Sequence, residues 1–137
     1  MGDALSDARG PSEPLVRRAY EAQARGDVEG YLELLSEDFV LRIPGRSQIA
    51  GEYRGKDEVR RHFREIAELS GETFRTEMHD VLASDDHVVG LVNARAEREG
   101  RPVDVPRVHV WHVRDGRLTE LWLHPADQHA FDAYWGP

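Results

Sequence analysis

Arg107 and His109 stand two residues apart in the run "VDVPRVHVWHV", and they carry the strongest chemical signal in this 137-residue chain. In a strand, residues i and i+2 share one face and lie roughly 7 Å apart. A histidine titrates near neutral pH, so it can both give and take a proton. An arginine presents a fixed fork of donors that anchors a carboxylate, enolate or phenolate and stabilises negative charge as it develops. The pair therefore reads as a general acid/base beside an anion anchor. The competing reading makes His109 a core histidine and Arg107 half of a buried ion pair. Val103, Val105, Arg107, His109, Trp111 and Val113 share one face of the run; Asp104, Pro106, Val108, Val110 and His112 share the other. Apolar content alone does not choose between these faces.

Other polar residues are weaker candidates. Asp80 shares the two-residue phase of Phe74, Thr76, Met78 and Leu82. It could pair with Arg107 or leave the sheet at its end. Asp127, in "HPADQHAFDAYW", could stand at a cavity mouth, although a helix N-cap suits it better. His62 lies near the apolar stripe of a helix and reads as structural. His79, His112 and His124 fall on an outer face or at strand ends. The chain has seven histidines but no HxH or HExxH pair with carboxylate support, and "HVWH" puts His109 and His112 on opposite faces. No native metal is expected. There is no glycine-rich phosphate loop after a strand and no Gly-x-Ser-x-Gly elbow, so no nucleotide cofactor and no serine hydrolysis are expected. With no cysteine there is no disulfide and no thiol nucleophile.

Several elements must position these groups. Residues 1–12, polar and rich in Gly, Pro and Ser, read as a flexible tail, and 13–137 as a single domain. Leu15, Val16, Ala19, Tyr20 and Gln23 have helical spacing. Gly26 and Asp27 end that helix and cap a second, in which Val28, Tyr31, Leu32, Leu34 and Leu35 are apolar. "DFVLRI" alternates as a strand. Pro44 and Gly45 break it, Arg46 to Ala50 cross a rim, and "GEYRG" launches a third helix near Lys56, with Val59, Phe63, Ile66 and Ala67 as its stripe. Four long strands follow, joined at "SDD", "GR" and "RDG". A short helix ends the chain. Helices first and antiparallel strands after is an α+β pattern. The net charge of −8 argues against nucleic acid or an anionic membrane as partner. No run resembles a membrane span or signal peptide, and a cytoplasmic location is expected.

From about Leu15 to Trp135 the chain resembles the SnoaL-like branch of the nuclear-transport-factor-2-like superfamily. The residues that carry the likeness are "GD" at Gly26–Asp27, "SEDFVLRIPG", "AGEYRG" leading into "KDEV", and "VHVWHVRDGRLTELW". The resemblance implies a cone-shaped barrel: a strongly curved, mostly antiparallel sheet wrapped around about three N-terminal helices, with a short C-terminal helix. It also implies an inner pocket, His109 facing inward, and homodimers through the outer sheet face. Steroid isomerases of the superfamily use a carboxylate base, a tyrosine and a protonated Asp. Here those positions fall on Ile43, on Ala19 with Tyr20 adjacent, and on His109, so isomerase chemistry of that kind is rejected. SnoaL-like cyclases often carry His-Trp-Asp on the last strand, where this chain reads Leu121-Trp122-Leu123. Epoxide-opening relatives use Asp-Arg-Asp, and Arg107 has no clear pair of carboxylates.

The expected pocket takes Phe39, Leu41, Ile43, Met78, Val92, Trp111, Leu121 and Leu123 as walls, with Tyr20, Phe63 and, at the mouth, Tyr53. Gly90, Ala94 and Ala96 are small residues in phase with Val92, which favours a void over a filled core. The expected function is a cofactor-independent enzyme acting by proton transfer on a small apolar oxygenated molecule, as a cyclase, isomerase or dehydratase does. The alternative is a non-catalytic module of the same fold that binds a hydrophobic ligand or serves as an accessory subunit.

Overall fold

Glycine and aspartate set the helix ends, as their spacing predicts. The computed structural model describes residues 12–137. Helix α1 (Ser12–Ala24) closes where the Gly26 and Asp27 N–H groups donate to the Gln23 and Ala22 carbonyls, at 3.0 and 2.8 Å. The Asp27 carboxylate then caps α2 (Val28–Glu33) by accepting from the Gly30 N–H at 2.9 Å. Most of the expected tail lies outside the described residues; Ser12 opens α1 and is buried.

The remaining elements are β1 (Leu35–Ile43), β2 (Gly51–Arg54), α3 (Gly55–Leu69), β3 (Arg75–Ala83), β4 (His87–Arg98), β5 (Arg101–Arg114), β6 (Arg117–Pro125) and α4 (Gln128–Trp135). The sheet runs β2-β1-β6-β5-β4-β3. Among the described residues only the β1–β6 pair is parallel; the other pairs are antiparallel. The curved sheet holds the helices on its inner face, α1 against β3 and β4, α3 against β1. This is the expected α+β cone with a short C-terminal helix.

Three local expectations change. Leu34 and Leu35 are not helical. Leu35 starts β1, only 1% exposed and paired with Leu118, and the Leu118 N–H donates to the Leu34 carbonyl. Pairing with a distant strand outweighs a helical continuation here. The second change is in β3. Met78 pairs with Val92 and Asp80 with Leu91, so one extra residue is inserted as a bulge. The bulge reverses the alternation. Val81 and Ala83 pack on the core, Leu82 is 57% exposed, and Asp80 points to solvent. The Asp80 carboxylate accepts from the neighbouring Val81 N–H and does not pair with Arg107. The third change moves a turn by one residue. Glu99 and Gly100, both at positive φ, join β4 to β5, and Arg101 already pairs with Arg98.

Helix α4 plugs one end of the cone with Phe131 and Trp135, which are 1% and 2% exposed. Asp127 caps it, accepting from the Ala130 N–H at 3.0 Å, so its carboxylate serves the helix end. The rim segment holds the plug in place. Gln48 donates from its backbone to the Gly136 carbonyl at 2.7 Å and from its amide to the Trp135 carbonyl at 2.6 Å. Gly45 has φ +104°, and a Cβ there would stand 2.3 Å from both Asp132 Oδ1 and Gln128 Nε2. Gly45→Ala should therefore lose about 1–3 kcal/mol in urea unfolding, from backbone strain plus displacement of that pair. Unchanged stability would show that the plug does not depend on this contact.

Candidate active site in the inner cavity

Strand alternation places Val105, Arg107, His109 and Trp111 on the inner face of β5. Arg107, His109 and Trp111 are 7%, 5% and 1% exposed. The Trp111 indole N–H donates to the Tyr20 hydroxyl oxygen at 3.1 Å. That hydroxyl is in turn hydrogen-bonded to His109 Nδ1. An indole can only donate, and a phenol has one proton. The hydroxyl has no other acceptor among the described residues, so Tyr20 accepts from Trp111 and donates to His109. Nδ1 is the acceptor, and His109 is the Nε2–H tautomer. Nε2 is itself buried and has no partner among the described residues. Gly90, directly opposite His109 on β4, leaves the necessary space: a Cβ there would lie 3.2 Å from the Tyr20 oxygen and 3.3 Å from Met78 Sδ.

Burial sets the protonation states. It pushes His109 down to about 3, helped by the Arg107 charge and by His124, so the ring is neutral at physiological pH. It raises Tyr20, which keeps its phenolic proton. It lowers Arg107 to about 10, against the opposing pull of Tyr20, and the guanidinium stays cationic. That cation lies over the rings of Phe74 and Phe131, 5.7 and 5.2 Å from their centroids. Its Nε is buried without a partner, and among the described residues no carboxylate pairs with it. His62, on α3, packs its ring against Tyr53 and Phe63 and leaves Nδ1 unpartnered. Burial, then Arg107, lowers it to about 3.

These groups surround a cavity of about 50 Å³. Leu41, Ile43, Phe63, Trp111, Leu121 and Leu123 line it with Arg107 and His109. Phe39 and Val92 lie in the core, 0% and 1% exposed. Met78 packs beside Gly90, and Tyr20 stands behind His109. Tyr53 is not free at the mouth; it is 8% exposed and its hydroxyl donates to the Ile49 carbonyl at 2.7 Å. The resemblance implies Ala19 at the tyrosine position with Tyr20 adjacent; Ala19 is fully buried, and the side chain that reaches the site is that of Tyr20. The cavity also takes His62, Ile49, Phe131 and Trp135, which sequence reasoning placed in structural, rim or capping roles. Their one signal was apolar or aromatic character inside otherwise polar segments. A groove of about 580 Å³ adjoins the cavity and shares Gln23, Tyr31, Phe63, Ile66 and Phe74 with it. A similar volume on another side is lined by Asp86, His87, His112 and Glu120; it includes neither Arg107 nor His109.

Comparison with known proteins adds to this geometry. Residues 16–121 match the model of the SnoaL-like domain. The uncharacterized protein Rv0034 of Mycobacterium tuberculosis is 32% identical over 122 residues, covering 88% of this chain and 93% of that protein. The structure of Bal32a, from a soil-derived mobile gene cassette, superposes with a TM-score of 0.90 at 33% identity, covering 94% of this chain and 99% of that one. TerC, co-crystallized with polyporic acid, shares the fold at a TM-score of 0.82 and 20% identity, over 90% of this chain and 97% of that one.

The two buried histidines give stability a pH dependence of definite sign. Each has a folded value near 3 against about 6.5 when unfolded. The unfolded chain binds more protons between these values. Stability is complete above 6.5 and falls as the pH drops, by up to about 1.4 kcal/mol per pH unit for each histidine. Replacing His62 by Phe removes one of the two. Urea unfolding should then lose about 1 kcal/mol less between pH 6 and pH 5 than wild type does. Parallel curves would mean that His62 is already protonated in the folded protein.

Proposed function

The chain belongs to the SnoaL-like domain family, within the nuclear-transport-factor-2-like superfamily, and on that premise we propose that it is a cofactor-independent enzyme of cyclase or isomerase type acting on a small apolar oxygenated molecule. One observation carries this reading. The unpartnered Nε2–H of His109 and the unpaired guanidinium of Arg107 enter one cavity together. Both are donors, held in advance where a substrate oxygen would sit. As the α C–H bond of a carbonyl substrate breaks, its electron pair moves to that oxygen and forms an enolate held by the two donors. His62 takes the proton. Its basicity rises once the enolate compensates Arg107. The enolate then attacks a second carbonyl within the molecule, whose oxygen takes the proton back from His62, or is itself reprotonated by His62 at another carbon.

In this reading His109 acts as a fixed donor in place of the general acid/base expected of it. Its Nδ1 already accepts a hydrogen bond from the Tyr20 hydroxyl, and the ring is neutral. A second reading, a binding module without chemistry, is favoured by two observations. Among the described residues no Asp or Glu lines the cavity, and by the family resemblance Leu121 and Leu123 stand where cyclase relatives carry polar residues. The complex of TerC with polyporic acid supports a small-molecule ligand under either reading.

The two separate by hydrogen exchange. With phenylacetone in D2O, wild type should catalyse deuterium incorporation at the α-carbon, and His109→Phe should lower kcat by about 10²–10³ while leaving KM within a few-fold. Binding without exchange by wild type selects the module.

We further propose that the outer sheet face forms a homodimer seam, because Trp122 is 39% exposed there beside His112 and His124. Light scattering at micromolar concentration should give twice the chain mass of 15.6 kDa; the monomer mass would overturn it.

A further inference from the structure

We propose that the molecule this cavity takes is an anion: an apolar acid whose ionised oxygen sits between Arg107 and the Nε2–H of His109, and whose apolar body runs out into the adjoining groove. The proposal rests on the cavity being the ligand site: the enolate of the proposed reaction is one such anion, a stable acid is its resting counterpart, and the charge, shape and direction of the ligand are what is added.

The first argument is a contrast among arginines. Arg54, Arg60 and Arg95 lie in or near solvent and each has a carboxylate at 2.7, 2.7 and 3.3 Å; exposed arginines without one among the described residues, such as Arg18 and Arg61, have water in its place. Arg107 is the buried one, where an unpaired charge is most costly, and among the described residues its side chain has no carboxylate and its Nε no hydrogen-bond partner. The chain does not lack acids, with 26 of them. The rings of Phe74 and Phe131 attract the cation but do not neutralise it.

The second argument is the polarity of the orphaned atoms. Arg107 Nε and His109 Nε2 both carry hydrogens, so the cavity presents donors that want an acceptor. A neutral carbonyl would satisfy the hydrogen bonds and leave the charge. A carboxylate, enolate or phenolate satisfies both.

The third argument is volume. A cavity of about 50 Å³ holds one or two water-sized groups, which suits the acid head and excludes a whole ligand. The groove of about 580 Å³ is of ligand size, and Val28, Tyr31, Phe63, Ile66, Ala67 and Phe74 give it apolar walls. Five side chains belong to both spaces, so an acid seated on Arg107 has a continuous way out along them.

The test uses two probes of one shape, 2-naphthylacetate and its neutral primary amide, titrated calorimetrically at pH 7.5 while NMR follows the His109 ring nitrogens. The acid should bind at least tenfold more tightly than the amide, and both should shift Nε2. Arg107→Met should bring the acid down to the affinity of the amide. The ligand-free variant should also melt higher than wild type, since it has lost an unpaired buried charge. Equal affinities with His109 shifted by both probes would overturn the anion and leave the cavity as ligand site. If neither probe moves His109, the cavity reading fails and the proposal with it. A lower melting temperature for Arg107→Met, with the acid preference intact, would make Arg107 structural and overturn the proposal.

Discussion

The register of β5 is the constraint on which the cavity depends. A strand has a period of two, so a slip of one residue would send Arg107, His109 and Trp111 outward together. Turns fix that register at both ends. Glu99–Gly100 and Asp115–Gly116 have positive φ at both central residues, the conformation that tight hairpins require. Between them, twelve pairs with β4 and eight with β6 hold the strand in phase. The polar groups of the cavity are thus placed by backbone pairing, with the side chains following.

What stands around those groups explains why they remain usable. Most buried polar atoms in proteins find partners, and here three unpartnered ones share a single space: His62 Nδ1, Arg107 Nε and His109 Nε2. The partnered atoms beside them have a different task. Trp111 and Tyr20 use their hydrogen bonds to set the tautomer of His109, and Gly90 keeps the room in which they meet. Leu121 and Leu123, on the strand paired with β5, make the neighbouring wall apolar, which strengthens the field of Arg107 inside the cavity.

The fold was legible where its causes are local. Gly26 with Asp27 and the Asp115–Gly116 turn act within a few residues, and each stands where its spacing indicated. Departures occur where a distant strand decides. Leu35 left the helix because Leu118 offered a partner, and the extra residue between Met78 and Asp80 shows only in the pairing with β4. The site was legible in part for the same reasons. Arg107, His109 and Trp111 follow from alternation once the face is known. Tyr20 differs from Ala19 by one helical position, about 100° of rotation, which strand patterns cannot resolve. His62 looked like any lone histidine on an apolar stripe, and only the shape of the cavity brings it beside Arg107.

The single parallel seam between β1 and β6 has a consequence for how the molecule assembles. Leu41 pairs with Leu121, so the strands that meet there are separated by most of the sheet-forming chain. The meander from β3 to β6 closes through short hairpins, whose loops cost little entropy to form. The β1–β2 arm, antiparallel within itself, has no such shortcut to the meander and joins it only through β6. Long-range pairings of this kind slow folding at a given stability. Until that seam forms, Leu41, Ile43, Leu121 and Leu123 face water, and the cone has no inside.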